Sequence, residues 1–229
     1  MCTVSVLPLP DGYRLWMNRD ERMERRDDGA LWPHGDALWP VDPMAGGTWL
    51  GAHASGWTLA LLNQYPPAAA ARGVSSRGGL IPKALAGGDP AGALDRLLAD
   101  GLRDYAPFLL LAFGPQGPWQ GLRWDGDGAR RKNWPRSLRS WSSSSVGGWP
   151  VLRARRRPVA RLARLGGTVD AQARALDALH TAHGPGGFCV HRETSGTVAH
   201  ERVVVDRAGL RIVHHSGAPC QEGPTSEGR

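Results

Sequence analysis

The chain has 229 residues, 41% of them apolar and 21% charged, with a net charge of +7. That length suits one large domain or two small ones with a real core, and the composition excludes a disordered chain. No apolar run reaches the roughly 18 residues a spanning helix needs, and no basic segment followed by an apolar one opens the chain, so no secretory signal is expected. Three widely spaced cysteines make no disulfide framework, and a cytoplasmic, reduced protein is expected. The cations are nearly all Arg, with Lys only at Lys83 and Lys132. Ten Trp, spread from Trp16 to Trp149, are not clustered as a base-stacking platform would be. They read as core or pocket lining.

Cys2 directly follows Met1. Because Cys2 is small, Met1 is expected to be trimmed, which leaves a thiol and a free α-amine on one residue. An α-amine titrates at about 7.7–8.0 and an ordinary thiol near about 8.5. One residue can then be both nucleophile and general base, the logic of an N-terminal nucleophile. Arg19 can favour the thiolate, and the Asp20 carboxylate can hold and orient the amine. The plainer reading makes Cys2 a small buried residue and Arg19-Asp20 a solvated turn.

Thr3 to Leu7 reads as a strand, Pro8-Leu9-Pro10-Asp11-Gly12 as a turn and Tyr13 to Asn18 as the returning strand. Pairing as a hairpin brings Cys2 near Arg19 and Asp20. In a regular strand those two face opposite sides, so both serve one site only if the strand ends or bulges there. Glu21 to Asp28 reads as a charged loop and Leu31 to Met44 as extended and irregular. Gly46-Gly47-Thr48-Trp49-Leu50-Gly51 is not G-x-G-x-x-G and no helix follows it, which rejects a dinucleotide loop. Thr48 to His53 and Trp57 to Tyr65 form a second hairpin turning at Ser55-Gly56. Its second strand ends at Asn63, whose amide can donate to a developing oxyanion or simply close a strand.

Gly78 to Ala86 and Pro90 to Asp104 read as helices, with Asp89 as N-cap and Pro90 at the first helical position. Leu94, Leu97, Leu98 and Leu102 fall at helical spacing. Phe108 to Phe113 is a buried strand, Trp119 to Trp124 another, and Asp125-Gly126-Asp127-Gly128 a turn without the remaining calcium ligands. Ser142 to Ser145 with Gly147-Gly148 reads as a polar loop. Arg153, Arg155, Arg156, Arg157, Arg161 and Arg164 read as a solvated helix face rather than a nucleic-acid patch. Asp170 to Ala182 is an amphipathic helix with His180 and His183 on its last turn, where a cation suits the dipole. No carboxylate-bearing zinc motif surrounds them, and no metal is expected. Phe188 to Arg192, Thr197 to Val205 and Leu210 to His215 read as closing strands, with Cys189 and His191 on one face of the first. Pro219 to Arg229 reads as a disordered polar tail, which leaves 1–218 as a single domain.

Met1-Cys2-Thr3, Asn18-Arg19-Asp20-Glu21, Gly46-Gly47-Thr48-Trp49-Leu50-Gly51 and Leu61-Leu62-Asn63 together resemble the Transport and Golgi organisation protein 2 family, also called NRDE proteins. Ser76-Arg77-Gly78, Tyr105-Ala106-Pro107-Phe108, Cys189-Val190-His191 and Gly217-Ala218-Pro219-Cys220 extend the likeness, in the family's order, over nearly the whole chain. The resemblance implies an α+β fold, a four-layer αββα sandwich of two antiparallel sheets, N-terminal-nucleophile hydrolase-like. The family in turn resembles the choloylglycine and penicillin V acylases. Carried over by position, Cys2 is the nucleophile, Arg19 and Asp20 its polarising pair and Asn63 an oxyanion donor. The acylases' second, mid-chain Asn is missing here. Trp141-Ser142-Ser143-Ser144-Ser145 stands in that loop, with Ser144 as the substitute donor. The acylases' last Arg has only a regional candidate, Arg211.

Two functions follow from the resemblance. One is an N-terminal cysteine amidohydrolase or acyltransferase, working at amide or thioester bonds with no cofactor required. The other follows the family's link to haem trafficking and to lipid or acyl-CoA metabolism. It is a non-enzymatic protein that carries haem or an acyl lipid as cargo in a cleft lined by tryptophans such as Trp49, with His191, His214 and His215 as candidate haem ligands. In either case the expected partner is a small acyl or haem-like molecule and no specific nucleic acid. The sequence leaves the oligomeric state open.

Overall fold

Alternation in the first two strands sets the layering. β1 (Cys2–Leu9) sends Val4 and Val6 into the core and Leu7 to the opposite side. β2 (Gly12–Arg22) does the same with Tyr13, Leu15 and Met17 against Trp16. Along the chain follow β3 (Trp32–His34), β4 (Ala37–Trp39), β5 (Leu50–His53), β6 (Trp57–Asn63), α1 (Leu80–Ala86), α2 (Ala93–Asp100), β7 (Phe108–Phe113), β8 (Trp119–Trp124), β9 (Ala129–Trp134) and β10 (Arg139–Ser142). The last elements are α3 (Gly148–Leu165), α4 (Val169–Thr181), β11 (Ser195–Asp206), β12 (Gly209–Ser216) and β13 (Thr225–Gly228). This computed structural model describes residues 2–26, 28–65, 73–145, 148–184, 186–221 and 225–229.

One sheet is ordered β10-β1-β2-β11-β12-β13 and the other β3-β4-β5-β6-β7-β8-β9. Neighbouring strands pair antiparallel throughout. Between the sheets lies a core that includes Val4, Leu15, Leu62, Phe113 and Trp119. α1 and α2 bury Leu80, Ile81, Leu94 and Leu97 against Leu59, Leu61 and Leu110 on the outer face of the seven-stranded sheet. α3 and α4 bury Val159 and Leu176 against Leu7 and Trp16 on the outer face of the other. Each such side chain contributes about 1.5–3 kcal/mol. The layers are α, β, β, α, as the resemblance implies. Tyr13 crosses the inner core, and its hydroxyl lies 2.8 Å from Thr58 Oγ1 and 3.1 Å from the Phe113 carbonyl of the facing sheet.

Several elements depart from their sequence readings. The first turn is only Pro10-Asp11, and β2 runs on to Arg22 through what reads as a loop. Leu31 to Met44 contains β3 and β4. The helix at Pro90 is a 3-10 turn, capped by Asp89 Oδ1 accepting from the Ala91 amide at 3.0 Å, and α2 then stops at Asp100. Phe188 to Arg192 forms no strand, only a bridge between His191 and Gly196. The polar tail is not disordered over its last residues: β13 pairs with Ile212 to His215 of β12, so the domain extends past residue 218. An open strand edge orders a sequence that has no apolar pattern of its own. Part of the glycine loop after Ser145, residues 146–147, lies outside the described residues. Among the described residues no helix is long and apolar enough to cross a membrane.

Candidate functional site

The β1–β2 register places Cys2 directly opposite Arg19, and directly opposed residues share a face of the sheet. Both point toward the inter-sheet core and are almost wholly buried. The strand neither ends nor kinks there. The irregularity lies in the partner, β11, between Thr197 and Ala199. Asp20 therefore faces the helix side. Its Oδ1 accepts from Thr197 Oγ1 at 2.7 Å, and its Oδ2 pairs with Arg155 Nη1 at 3.4 Å. The same Arg155 nitrogen donates to Thr3 Oγ1 at 2.6 Å. Asp20 reaches Cys2 through its backbone, whose N–H bonds the sulfur, while its side chain stays on the other face.

Burial pushes the Cys2 thiol up. The charge of Asp20 adds to the rise, and the Asp20 amide and the Arg19 guanidinium oppose it. Burial likewise raises Asp20, against the attraction of Arg155 and the Thr197 hydrogen bond. Arg19 does not serve Cys2 alone. Its guanidinium lies 3.9 Å from the centroid of Trp49, donates to the Arg25 carbonyl at 2.9 Å and pairs with Asp42. Burial by itself would raise Asp42. Arg19 first, then the Ala45 amide and Arg25, outweigh it and hold the carboxyl below its ordinary range.

The serine loop meets Cys2 through a neighbour of the expected residue. Cys2 N donates to Ser143 Oγ at 3.1 Å, and Ser143 N returns a bond to the Cys2 carbonyl at 2.9 Å. Ser144 lies one position farther along. Asn63 closes β6 on the facing sheet. By alternation its side chain shares the face of Leu59 and Leu61, which is covered by α1 and α2, and it bonds Tyr65. Its backbone N–H points to the same side as that of Leu61, which bonds the Trp49 carbonyl. Tyr65 and Arg77 lie within electrostatic reach of a Cys2 thiolate, so they rim the site.

The remaining candidates are scattered. Trp49 is buried, and its Nε1 donates to Glu201 Oε1 at 2.9 Å, which also lies 2.9 Å from His214 Nδ1. It supports Arg19 rather than lining an open cleft. Arg211 pairs with Asp206 at 3.3 Å on the exposed side of β12, level with Arg14 rather than with Arg19. His191 is exposed near Cys189 and Cys220. His214 and His215 lie on opposite faces of β12 and do not converge on one ligand.

His180 is no helix-end cation. It is buried, with Nδ1 2.8 Å from Asn18 Oδ1 and Nε2 2.9 Å from Ser5 Oγ. His200 Nδ1 meets the same Asn18 oxygen at 2.7 Å. Burial, then the repulsion that a protonated His200 would exert, holds His180 well below its ordinary range. Burial pushes His200 down to about 3. Both are neutral in the fold, while an unfolded histidine titrates near about 6.5. The unfolded chain therefore binds more protons below that pH, and stability present above it is lost on acidification. The expected slope is about 1.4 kcal/mol per pH unit for each histidine. Urea unfolding between pH 7 and 5 checks it, and His200→Gln should remove about half the slope. A flat profile would contradict the neutral pair.

Sequence reading missed Arg155, Asp42, Tyr65 and Ser143. A signal existed for Arg155, because Leu152, Arg155, Val159 and Leu162 fall on one helical stripe, so this Arg points inward with the apolar residues. Beside the site, between β8–β10 and α3, opens a cleft of about 1520 Å³. Trp134, Trp141 and Trp149 line it, together with ten Arg or Lys and, among the described residues, no Asp or Glu. Burial, and after it the charge of Arg156, pushes the Arg139 guanidinium below its ordinary range. Cys2 does not line the cleft, but Gln64 and Ser142 do, each one residue from Asn63 or Ser143.

The fold has solved counterparts. A Caenorhabditis elegans N-acylethanolamine-hydrolyzing acid amidase ortholog superposes with a TM-score of 0.50 at 9% identity, covering 89% of this chain and 92% of that one. Penicillin V acylase from Agrobacterium tumefaciens gives 0.54 at 12%, covering 94% and 83%. The C2A mutant of the conjugated bile acid hydrolase from Clostridium perfringens gives 0.51 at 10%, covering 99% and 92%. At such identities the likeness is one of fold. No curated protein matches the sequence. Residues 1–127, more than half the chain, match the profile of the family described as Transport and Golgi organisation 2, and the chain belongs to that family.

Proposed function

We propose that this chain is an N-terminal cysteine acyl hydrolase or acyltransferase acting on thioester or amide donors with an anionic, amphipathic body. The observation that carries the reading is the fixing of Cys2 at both ends. Its nitrogen is held by Ser143 Oγ at 3.1 Å, and its sulfur meets the Asp20 amide opposite Arg19. Burial keeps the thiol protonated, so it needs a base close by. Once Met1 is removed, the same nitrogen is an amine and can take the thiol proton. The thiolate then adds to the acyl carbonyl. The ammonium returns the proton to the leaving thiol or amine, and an acyl-cysteine remains for water or another acceptor. The Asn63 backbone N–H, rather than its side chain, is the oxyanion donor in this reading.

The cleft supports the substrate class. Its tryptophans suit an acyl chain or flat ring, and its guanidiniums, of which Arg131 is paired with Asp95, suit phosphate or carboxylate. The same cleft favours a second reading, in which the chain carries an anionic acyl lipid or haem without chemistry. Among the described residues no histidine lines the cleft, so a haem there would be held by its carboxylates and by stacking.

The test uses the mature chain and a long-chain acyl-CoA. Intact mass and peptide mapping should find Met1 absent and a thioester-linked acyl group on Cys2. Binding of acyl-CoA with no adduct would leave the carrier reading. Neither binding nor adduct would overturn both.

A further inference from the structure

We propose that His183, Cys189, His191 and Cys220 form a four-ligand zinc site that fastens the segment between α4 and β11 to the loop after β12. One ligand atom from each residue lies within 4.8 Å of all the others. Cys189 Sγ and Cys220 Sγ are 3.5 Å apart, and His191 Nε2 lies 3.4 Å from the first and 3.1 Å from the second. His183 Nε2 lies 3.4 Å from Cys220 Sγ. A tetrahedral zinc with Zn–S near about 2.3 Å and Zn–N near about 2.0 Å spaces its sulfurs by about 3.8 Å and its S–N pairs by about 3.5 Å. The four closest pairs, at 3.1–3.5 Å, are near that figure, and the two between His183 and the Cys189 and His191 atoms lie within 4.8 Å. The cysteines are free thiols, and their separation is far beyond the roughly 2.05 Å of a disulfide.

The donor chemistry selects the ion. Two thiolates and two imidazoles at tetrahedral spacing suit zinc, and four protein ligands leave no open position, which marks a structural rather than a catalytic site. Two thiolates and two neutral imidazoles also balance the charge of a divalent ion, and no carboxylate of the described residues belongs to the group. The ligands come from three places in the chain, without a C-x-x-C pair, so the expectation of no metal is revised here on geometry that spacing could not reveal.

The clip touches the Cys2 site through one residue. Val190, between two ligands, donates its N–H to Thr197 Oγ1 at 2.9 Å and accepts from Thr197 N at 2.8 Å. Thr197 Oγ1 in turn donates to Asp20. An ion that fixes Cys189 and His191 therefore fixes the strand end on which Asp20 leans.

Cobalt(II) titration of the full chain, reduced and stripped with EDTA, tests the proposal. One cobalt per chain should bind with the intense visible bands of tetrahedral thiolate coordination, and zinc should displace it. Cys220→Ser and His183→Ala replace exposed residues, and circular dichroism checks that both fold. Each should weaken cobalt binding by more than the roughly 10–100-fold that loss of an outer-shell partner costs. Absence of the bands, their survival in both variants, or a Cys189–Cys220 disulfide in anaerobically purified protein would overturn the site.

Discussion

Cys2→Ala should lower kcat/KM for acyl transfer by at least about 10⁴-fold, the scale on which loss of a nucleophile acts, while the fold survives. The side chain is small and sits at a strand end, so its removal leaves only a thiol-sized gap in the inter-sheet core. No other described cysteine can substitute. Burial, then its hydrogen bond to Cys220, pushes the Cys189 thiol up to about 12, and Cys220 follows β12, strands away from β1. Asn63→Ala supplies the contrast. Because that side chain faces the α1–α2 layer, its loss should cost less than about tenfold, below what removing an oxyanion donor does. Turnover by Cys2→Ala near that of the parent would end the nucleophile reading.

Arg155→Met should destabilise the fold by about 3–5 kcal/mol, the cost of stranding one partner of a buried ion pair. Arg155 and Asp20 are both nearly inaccessible. Removing the guanidinium takes its cationic partner from the Asp20 carboxyl while the Thr197 bond stays in place, and it also withdraws the bond to Thr3. Asp20 would respond by taking up a proton, since burial already pushes its carboxyl up. The double variant Arg155→Met with Asp20→Asn should therefore recover much of the loss, and the non-additivity measures the pair. Urea midpoints of the four proteins give the cycle. A single-variant loss under about 0.5 kcal/mol would place Arg155 among the ordinary surface positions.

What the sequence disclosed follows from where its information is local. β7 and β8 have their expected bounds because an unbroken apolar run and a turn-bounded strand carry their own signal. The β5–β6 hairpin turns at Ser55-Gly56 as its glycine demands. Opposing Cys2 to Arg19 needed only the β1–β2 hairpin. β9 was not legible, since Ala129-Arg130-Arg131-Lys132-Asn133-Trp134 has no alternation and is ordered by β8 beside it. β13 was hidden for the same reason. The partners of the site residues arrive from distant segments: Asp42 for Arg19, Arg155 for Asp20, Ser143 for Cys2. No spacing rule links such pairs. Arg155 alone left a trace, as a charge on an apolar helical stripe, and reading the whole basic stretch as solvated concealed it.

The exposed, cationic β9 has a consequence for how this protein behaves in concentrated solution. Among the described residues it is the last strand of the seven-stranded sheet, with no strand paired to its outer side. Such an edge recruits other chains unless charge repels them, and Arg130 and Lys132 supply that repulsion, whereas Arg131 is paired with Asp95. Arg130 and Lys132 also line the Trp-floored cleft. A bound anion would neutralise the charges that keep two β9 edges apart. If the proposed anionic ligand binds there, the filled protein should therefore self-associate more readily than the empty one, and added salt should act in the same direction.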